Sequence, residues 1–434
     1  MKEEAGIGEK QSPLFVLLAA QLVSRLGSSM TAFALGIVVF RQESNASSLG
    51  MLYFVMLLPP MLLSGMAGRI VDKRDRRLVL IVADIAGALV CCWLLAVVLS
   101  GQVRIWHVYA FTALTAVAGS FQGIASIAII GTSSTRRTLS AANAFRNVQN
   151  AIPRLIAPLG GLAIVMWLGL RGILVVDIVS FVVAIGTAVL LTPALRAGLG
   201  GAKRNSAIGG ELSPRRLVNS SALLRRLQFL LVANLFVLSA VGVWITPLIL
   251  SEANEAVLGF TLAAAGVGAL LGNAFAGAVG ARVDAARAVA AAPVVSGIGL
   301  IVLGGSKWAI LSALALGIYF FADAAGTTLN YNVWHLRVPS SFHGRVFGFN
   351  RSLCLTAALV ALLISGPAVD YLLVPAVAAS GTPAGGQQAL PIALRLAIGA
   401  AGVWSVALGL SQRQLGRESV ATAEASLSCV GGEA

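Results

Sequence analysis

Residues 79–100 read VLIVADIAGALVCCWLLAVVLS, a run of 22 positions in which Asp84 is the single charged residue. A helix that crosses the hydrocarbon core of a bilayer needs about 20 predominantly apolar residues. The run lacks the strict alternation of apolar and polar residues that a membrane β-strand shows. Apolar residues occupy nearly every face of the corresponding helix, so this stretch predicts a membrane-spanning α-helix.

The composition extends this interpretation to the whole chain. Of its 434 residues, 58% are hydrophobic and 11% are charged, whereas a soluble domain has roughly 25% charged residues. This argues against a soluble enzyme, a nucleic-acid-binding domain and a disordered protein. The net charge of +14 does not indicate nucleic acid, because the basic residues lie in short loops between apolar runs. We expect the partner of this surface to be a lipid bilayer.

Eleven further apolar runs resemble residues 79–100, and together they predict an all-α membrane protein with twelve transmembrane helices. The predicted segments are 13–40, 49–69, 78–100, 105–130, 141–168, 171–192, 227–250, 257–281, 287–305, 308–330, 345–373 and 389–411. The first is too long for the apolar region of a cleavable signal peptide. We expect an N-terminal six-helix bundle at 1–192, a cytoplasmic linker at 193–226, a C-terminal six-helix bundle at 227–411 and a cytoplasmic tail at 412–434.

The distribution of basic residues predicts the orientation. With both termini in the cytoplasm, 22 of the 31 Lys and Arg residues fall on the inner side and five on the outer side. This asymmetry follows the positive-inside rule. We therefore expect a multi-pass protein of the inner (plasma) membrane with cytoplasmic termini.

The two halves share a short pattern. Gly65-x-x-Gly68-x-x-x-Asp72 follows the second segment, and Gly277-x-x-Gly280-x-x-x-Asp284 follows the eighth. Because the two copies fall at equivalent helix ends, we interpret them as an internal duplication, which is typical of transporters. A further glycine group in the eighth segment, Gly266, Gly268 and Gly272, predicts close packing between helices.

The loop after the second segment carries the most specific motif, Gly68-Arg-Ile-Val-Asp72-Lys73-Arg74-Asp75-Arg76-Arg77. It resembles the signature loop of the major facilitator superfamily, with Asp75 in place of the later signature glycine. That variant is similar to the loop of bacterial drug and macrolide exporters. The stretches 21–28, 105–109, 176–181 and 344–347 support the same resemblance. We expect Gly65 and Gly68 to allow close helix approach, and Asp72, Lys73, Arg76 and Arg77 to form a conformational-switch loop.

The resemblance implies two pseudo-symmetric six-helix bundles around a central cavity and transport by alternating access. It implies export of a small amphipathic organic compound, such as a drug, a macrolide or a secondary metabolite, in exchange for protons. A transporter of this kind needs no cofactor and is not an enzyme. One chain contains both halves, so a monomer is sufficient.

Acidic residues within predicted spans are costly to bury and are usually functional. Three are candidates for proton coupling: Asp323, Asp84 and Asp177. Asp84 could instead join the charge network of the signature loop, and Asp177 could be structural. For Asp323, a permanent salt bridge to Arg351 or Arg345 is the alternative.

Other polar residues recur at helical spacing and are candidates for lining the cavity. In the fifth segment Asn143, Arg146, Asn147, Asn150 and Arg154 share one face, which could also be a packing stripe between bundles. In the tenth segment Tyr319, Asp323, Thr327 and Asn330 share another. Arg25 lies near the middle of the first segment and needs an acidic partner, a polar cavity or an anionic substrate. Gln122 adds polarity to the fourth segment.

Two rival functions stay open at this point. An uptake symporter or a lipid transporter could use the same fold, because fold alone gives neither direction nor substrate. A membrane enzyme or a receptor is less well supported, because the sequence shows no convincing catalytic constellation. The chain has no His-x-x-His pair or carboxylate cluster that would suggest a metal site, and no phosphate-binding loop for ATP.

Overall fold

The structure of the chain is a computed structural model. It describes residues 12–133, 136–197, 214–219, 221–279, 285–338, 342–380 and 388–412. Within these ranges every regular element is a helix. The all-α prediction is therefore confirmed for the described part of the chain.

The first half of the chain forms five helical elements. They are α1 Ser12–Glu43, α2 Ala46–Lys73, α3 Arg76–Leu99, α4 Ile105–Ser133 and α5 Arg136–Ala197. Element α5 consists of two helices that meet at Gly169, where the backbone adopts φ 64° and ψ −167°. A positive φ strains any residue with a Cβ, so glycine makes this abrupt change of direction possible.

The second half begins with the short helix α6 Pro214–Asn219 and continues with longer ones. They are α7 Ala222–Glu252, α8 Glu255–Val279, α9 Ala285–Gly305, α10 Ala309–Arg337, α11 His343–Pro367, α12 Val374–Ala379 and α13 Ala389–Ser411. A π-helical turn, Ala368–Leu373, joins α11 to α12. The predicted segment 389–411 coincides with α13.

Eleven segments of the described residues are long and apolar enough to cross a membrane. One of them, Ala151–Leu191, has 41 residues and contains both helices that meet at Gly169. Because about 20 residues span a bilayer, this segment accounts for two crossings. The described helices thus match the twelve predicted ones, and the protein is a multi-pass membrane protein.

The chain divides into two compact units. The first comprises Met1–Ser44 and Met51–Asn205, and the second comprises Asn45–Gly50 and Ser206–Ala434. Of the predicted linker 193–226, residues 198–213 and 220 lie outside the described residues, as do 413–434 of the predicted tail. Gly280 and Asp284 of the repeated pattern also lie outside them.

In the second unit, α8 packs against α10 through glycines. A Cβ added at Gly268 would collide with the backbone carbonyl of Gly317, and one at Gly272 would collide with that of Phe321. Small residues let helix backbones approach this closely in membrane proteins. The predicted packing role of the Gly266–Gly272 motif is confirmed for Gly268 and Gly272.

An acid on the π-helical turn caps the start of α2 within the second unit. The carboxylate of Asp370 accepts hydrogen bonds from the backbone N–H groups of Ala46 (3.1 Å) and Ser47 (2.7 Å), and from the Ser47 hydroxyl (2.5 Å). The first N–H groups of a helix have no partner within the helix, and a negative charge there is favourable. Asp370 therefore fixes the first turn of α2.

Candidate functional site

The first unit contains an open cavity of about 790 Å³. Side chains from all five elements α1–α5 line it. Four of the predicted site residues take part: Arg25, Gln122, Arg154 and Asp177. The remaining surface is largely apolar and aromatic, with Phe33, Tyr53, Met56, Phe111 and Phe181 among the lining residues.

Asp84 lies beside this cavity, is completely buried and is held by two glutamines. Gln21 of α1 donates to its Oδ2 at 2.8 Å, and Gln122 of α4 donates to its Oδ1 at 2.7 Å. The Gln122 amide also donates to the Gln21 side-chain oxygen at 3.0 Å. Both carboxylate oxygens are thus hydrogen-bonded, and Asp84 connects three helices. The charge network of the signature loop was the alternative for Asp84, but its hydrogen-bond donors are these two amides.

Asp177 of α5 is 1% exposed and is surrounded by hydroxyl groups. Ser28 donates to Oδ1 at 3.0 Å and Thr31 donates to Oδ2 at 2.9 Å, both from α1. The thiol of Cys91 on α3 lies 3.5 Å from Oδ2. A Cβ at Gly27 would lie 2.5 Å from the Ser180 hydroxyl and 2.9 Å from Asp177, so the absence of a side chain there makes room for this cluster.

Three arginines approach the same region. Arg25 of α1 lines the cavity and lies near the negative charge of Asp84 and the positive charge of Arg146. Arg146 is partly buried, and Arg154 is exposed and lines the cavity. The α5 stripe is therefore in part a cavity surface. Asn143, Asn147 and Asn150 lie on the same helix, but their side chains lie outside the described residues.

The second unit contains a much smaller space, of about 20 Å³, beside Asp323. Asn234 of α7 donates to Asp323 Oδ1 at 2.5 Å, and Thr327 and Asn330 also line this space. Asn330 donates to the Leu227 carbonyl at 3.1 Å. Tyr319 is fully buried, does not line the space, and its hydroxyl has no hydrogen-bond partner among the described residues. The predicted α10 stripe is thus divided between a small polar space and the helix packing.

The described residues form eleven long apolar segments, one of which contains two helices, and the first unit adds a cavity and two buried carboxylates; these are features of a membrane carrier. A family model described as Major Facilitator Superfamily matches residues 17–362. This chain belongs to the major facilitator superfamily. No curated protein matches it in sequence.

Solved structures of major facilitator transporters have the same fold. A bacterial homologue of the human lysosomal transporter Spinster, in an inward-facing and unoccupied conformation, has a TM-score of 0.74 at 13% identity, over 94% of this chain and 97% of that chain. A bacterial homologue of the iron transporter ferroportin has a TM-score of 0.63 at 14% sequence identity. The match covers 93% of this chain and 98% of that chain. The POT family transporter PepTSo has a TM-score of 0.67 at 11% sequence identity, and the match covers 93% of this chain and 98% of that chain.

The signature loop of this major facilitator protein differs in part from our expectation. A Cβ at Gly65 or Gly68 would meet no heavy atom of the described residues within 4 Å, so these glycines do not mediate close packing within the described part of the chain. The reason is that glycine spacing gives no information on which helix face is covered. Asp72 and Lys73 are exposed. Arg76 donates to the Ala128 carbonyl of α4 at 3.3 Å, and Arg77 is buried.

Several residues of the site in this major facilitator protein are not among those that the sequence predicts. Gln21 and Asn234 hold two of the candidate carboxylates, and Gln149 of α5 lines the cavity and donates to the Leu18 carbonyl of α1 at 2.6 Å. Gln149 lies one position from Asn150, off the predicted stripe. Asp75 caps α3 by accepting from the Arg77 N–H at 3.0 Å. An acid shortly before an apolar run is a recognisable capping signal, and Asp75 precedes the predicted segment 78–100 by three positions, so it could have been found.

Proposed function

We propose that this chain is a secondary active transporter that exports a small amphipathic organic compound in exchange for protons. The observation that carries the proposal is the cavity of about 790 Å³ in the first unit. Its volume is in the range of small-molecule binding sites, roughly 300–1,000 Å³. A mainly apolar lining with a few polar groups would bind an apolar body and orient a polar one.

Three carboxylates within the spans support proton exchange, of which Asp84 and Asp177 are buried and Asp323 is partly buried. Asp84, Asp177 and Asp323 each accept hydrogen bonds from amide or hydroxyl groups of another helix. Protonation would remove the negative charge and weaken these contacts between helices. A proton that binds one conformation better than the other shifts the equilibrium between inward-open and outward-open states. In this scheme the signature-loop residues Asp72, Lys73, Arg76 and Arg77 bias the same equilibrium.

The direction of transport is proposed from the motifs of the N-terminal half, which resemble those of drug and macrolide exporters. We place the protein in the inner membrane as a monomer with both termini in the cytoplasm. Reporter fusions at the two termini, one active only in the cytoplasm and one only outside it, would test that orientation. An uptake symporter or a lipid transporter would differ from our proposal in the direction or the cargo that it moves.

The function can be tested in a bacterial host that lacks its own efflux pumps. Loss of a panel of lipophilic dyes and macrolides from loaded cells would be followed with and without a protonophore. The strains would carry wild type, Asp84→Asn, Asp177→Asn, Asp323→Asn or an empty vector. Glu255→Gln, which removes an acid at the start of α8 away from both spaces, is the matched control.

We expect efflux from wild type and from Glu255→Gln that the protonophore abolishes. At least one of the three aspartate variants should lose gradient-dependent efflux while retaining normal amounts in the membrane. Gradient-dependent efflux that survives all three substitutions would contradict the assigned coupling residues. Accumulation in place of efflux, measured in right-side-out vesicles, would contradict the proposed direction and favour an uptake symporter.

A further inference from the structure

The walls of the first-unit cavity carry an uneven distribution of charge. Two guanidinium groups line it, Arg25 and Arg154, and one carboxylate, Asp177. Arg154 is an exposed residue of this lining, whereas Asp177 is 1% exposed. The charge that faces the interior of the cavity is therefore mainly positive.

The two carboxylates of this region already have their own hydrogen-bond donors. Both oxygens of Asp177 accept from hydroxyl groups of α1, Ser28 and Thr31. Asp84 does not line the cavity and accepts from Gln21 and Gln122. Of the two, only Asp177 lines the cavity, and both of its oxygens already accept hydrogen bonds from α1.

A third positive group, Arg146, acts on Arg25. Arg146 is near enough to Arg25 for their charges to repel, against the attraction that Asp84 exerts on Arg25. Repulsion between like charges is stronger at the low dielectric of a protein interior than in water. An anion bound between α1 and α5 would offset this repulsion, which gives the site an energetic reason to prefer negative charge.

Apolar groups next to these arginines would bind the remainder of the ligand. Phe33, Tyr53, Phe111 and Phe181 contribute aromatic surface to the same cavity. Arginine binds planar carboxylates in a bidentate manner, with two parallel N–H···O bonds. The cavity thus combines donors for one anionic group with walls for an aromatic body.

We infer that the substrate of this cavity is an amphipathic organic anion, an aromatic compound with a carboxylate or a similar acidic group that Arg25 and Arg154 bind. The inference rests on the proposed function, because it names the chemical class of the compound that the transporter moves. Among amphipathic compounds, it excludes lipophilic cations as the preferred substrates.

The test compares two dyes that share a xanthene core and differ in charge, fluorescein as the anion and rhodamine 6G as the cation. Binding of each to the purified full-length protein in phosphatidylcholine nanodiscs would be measured by fluorescence anisotropy at pH 7.5, with protein-free nanodiscs as the blank. We expect at least tenfold tighter binding of fluorescein. The preference should weaken as salt is raised, because salt screens charge interactions.

Substitutions distinguish binding by these two arginines from a general effect of the positive charge of the protein. Arg154→Gln and Arg25→Gln should each weaken fluorescein binding about tenfold, the size of effect of one charge-assisted hydrogen bond. Arg154→Lys should recover part of the loss, which shows that the site is still folded. Arg171→Gln, at an exposed position outside the lining, is the matched control and should bind as wild type does.

Equal or tighter binding of rhodamine 6G, no binding of either dye, or an unchanged fluorescein affinity in both glutamine variants would overturn the inference. The same dyes in proteoliposomes with an imposed proton gradient distinguish it from the proposed function. Fluorescein binding without any transport would support the anion site and contradict the transporter. Gradient-driven transport of rhodamine 6G but not of fluorescein would support the transporter and overturn the anion site.

Discussion

The side-chain amide of Gln122 lies 2.7 Å from the carboxylate of Asp84, although the two residues are 38 positions apart in the chain. Gln21 completes the arrangement from a third helix. A buried carboxylate is costly unless all its oxygens are hydrogen-bonded. The two glutamines supply these bonds without a second formal charge, so they both stabilise the helix contacts and hold the carboxylate beside the cavity.

Replacing Gln122 by leucine removes one of these donors. We expect Gln122→Leu to lower the free energy of unfolding by about 1–3 kcal/mol, the cost of a buried acceptor without its partner. Unfolding would be followed by circular dichroism during titration with SDS in mixed micelles. Gln102→Leu, at an exposed position after α3, should change the midpoint little. If both variants unfold at the same SDS concentration, the Gln122 amide does not stabilise the buried carboxylate of Asp84.

The packing around Asp177 predicts that alanine substitutions at two glycines have different effects on thermal stability. A Cβ at Gly27 would press on the Ser180 hydroxyl and on Asp177, so Gly27→Ala should lower the thermal unfolding midpoint. A Cβ at Gly186 of α5 meets nothing within 4 Å among the described residues. Gly186→Ala should therefore leave the midpoint unchanged or raise it, since alanine favours a helix over glycine by about 1 kcal/mol. Equal shifts in the two variants would refute the crowding at Gly27.

The ion pair between Arg395 and Glu252 predicts that replacing the arginine destabilises the protein more than replacing the glutamate. Arg395 of α13 binds the carboxylate of Glu252 on α7 and also donates to two backbone carbonyls at the end of α9, those of Gly304 and Ser306. Arg395→Gln should cost about 2 kcal/mol, because it removes a charged donor from several acceptors. Glu252→Gln should cost less, because the carbonyl contacts remain. A double-mutant cycle would measure the pairwise part, and equal costs would contradict this assignment.

The pair Asn234 and Asp323 predicts non-additive effects. Asn234→Leu removes the 2.5 Å hydrogen bond to Asp323 and leaves the carboxylate next to an apolar group, which should destabilise the protein. In Asn234→Leu/Asp323→Leu both partners are apolar, so the double variant should be more stable than Asn234→Leu alone. SDS titration of wild type, both single variants and the double variant measures the coupling. Additive free-energy changes would mean that the two side chains are independent.

The sequence was sufficient for the helices and for part of the cavity. Apolar runs give each span directly, because a membrane helix must satisfy its own backbone and cover itself with apolar side chains. Arg154 and Gln122 were found because polar residues within such runs are rare. The partners Gln21, Gln149 and Asn234 were not found, because a hydrogen bond across helices depends on which helices are neighbours and how each is rotated. The same information was missing for Gly65 and Gly68.

The turn at Gly169 has a mechanical consequence for the two halves of α5. One residue with φ 64° separates the helix that carries Arg154 from the helix that carries Asp177. A flexible loop of many residues would let one helix move while the other stayed in place. A connection of one residue lets the two helices move independently very little. A tilt of the helix that carries Arg154 would therefore also tilt the helix that carries Asp177.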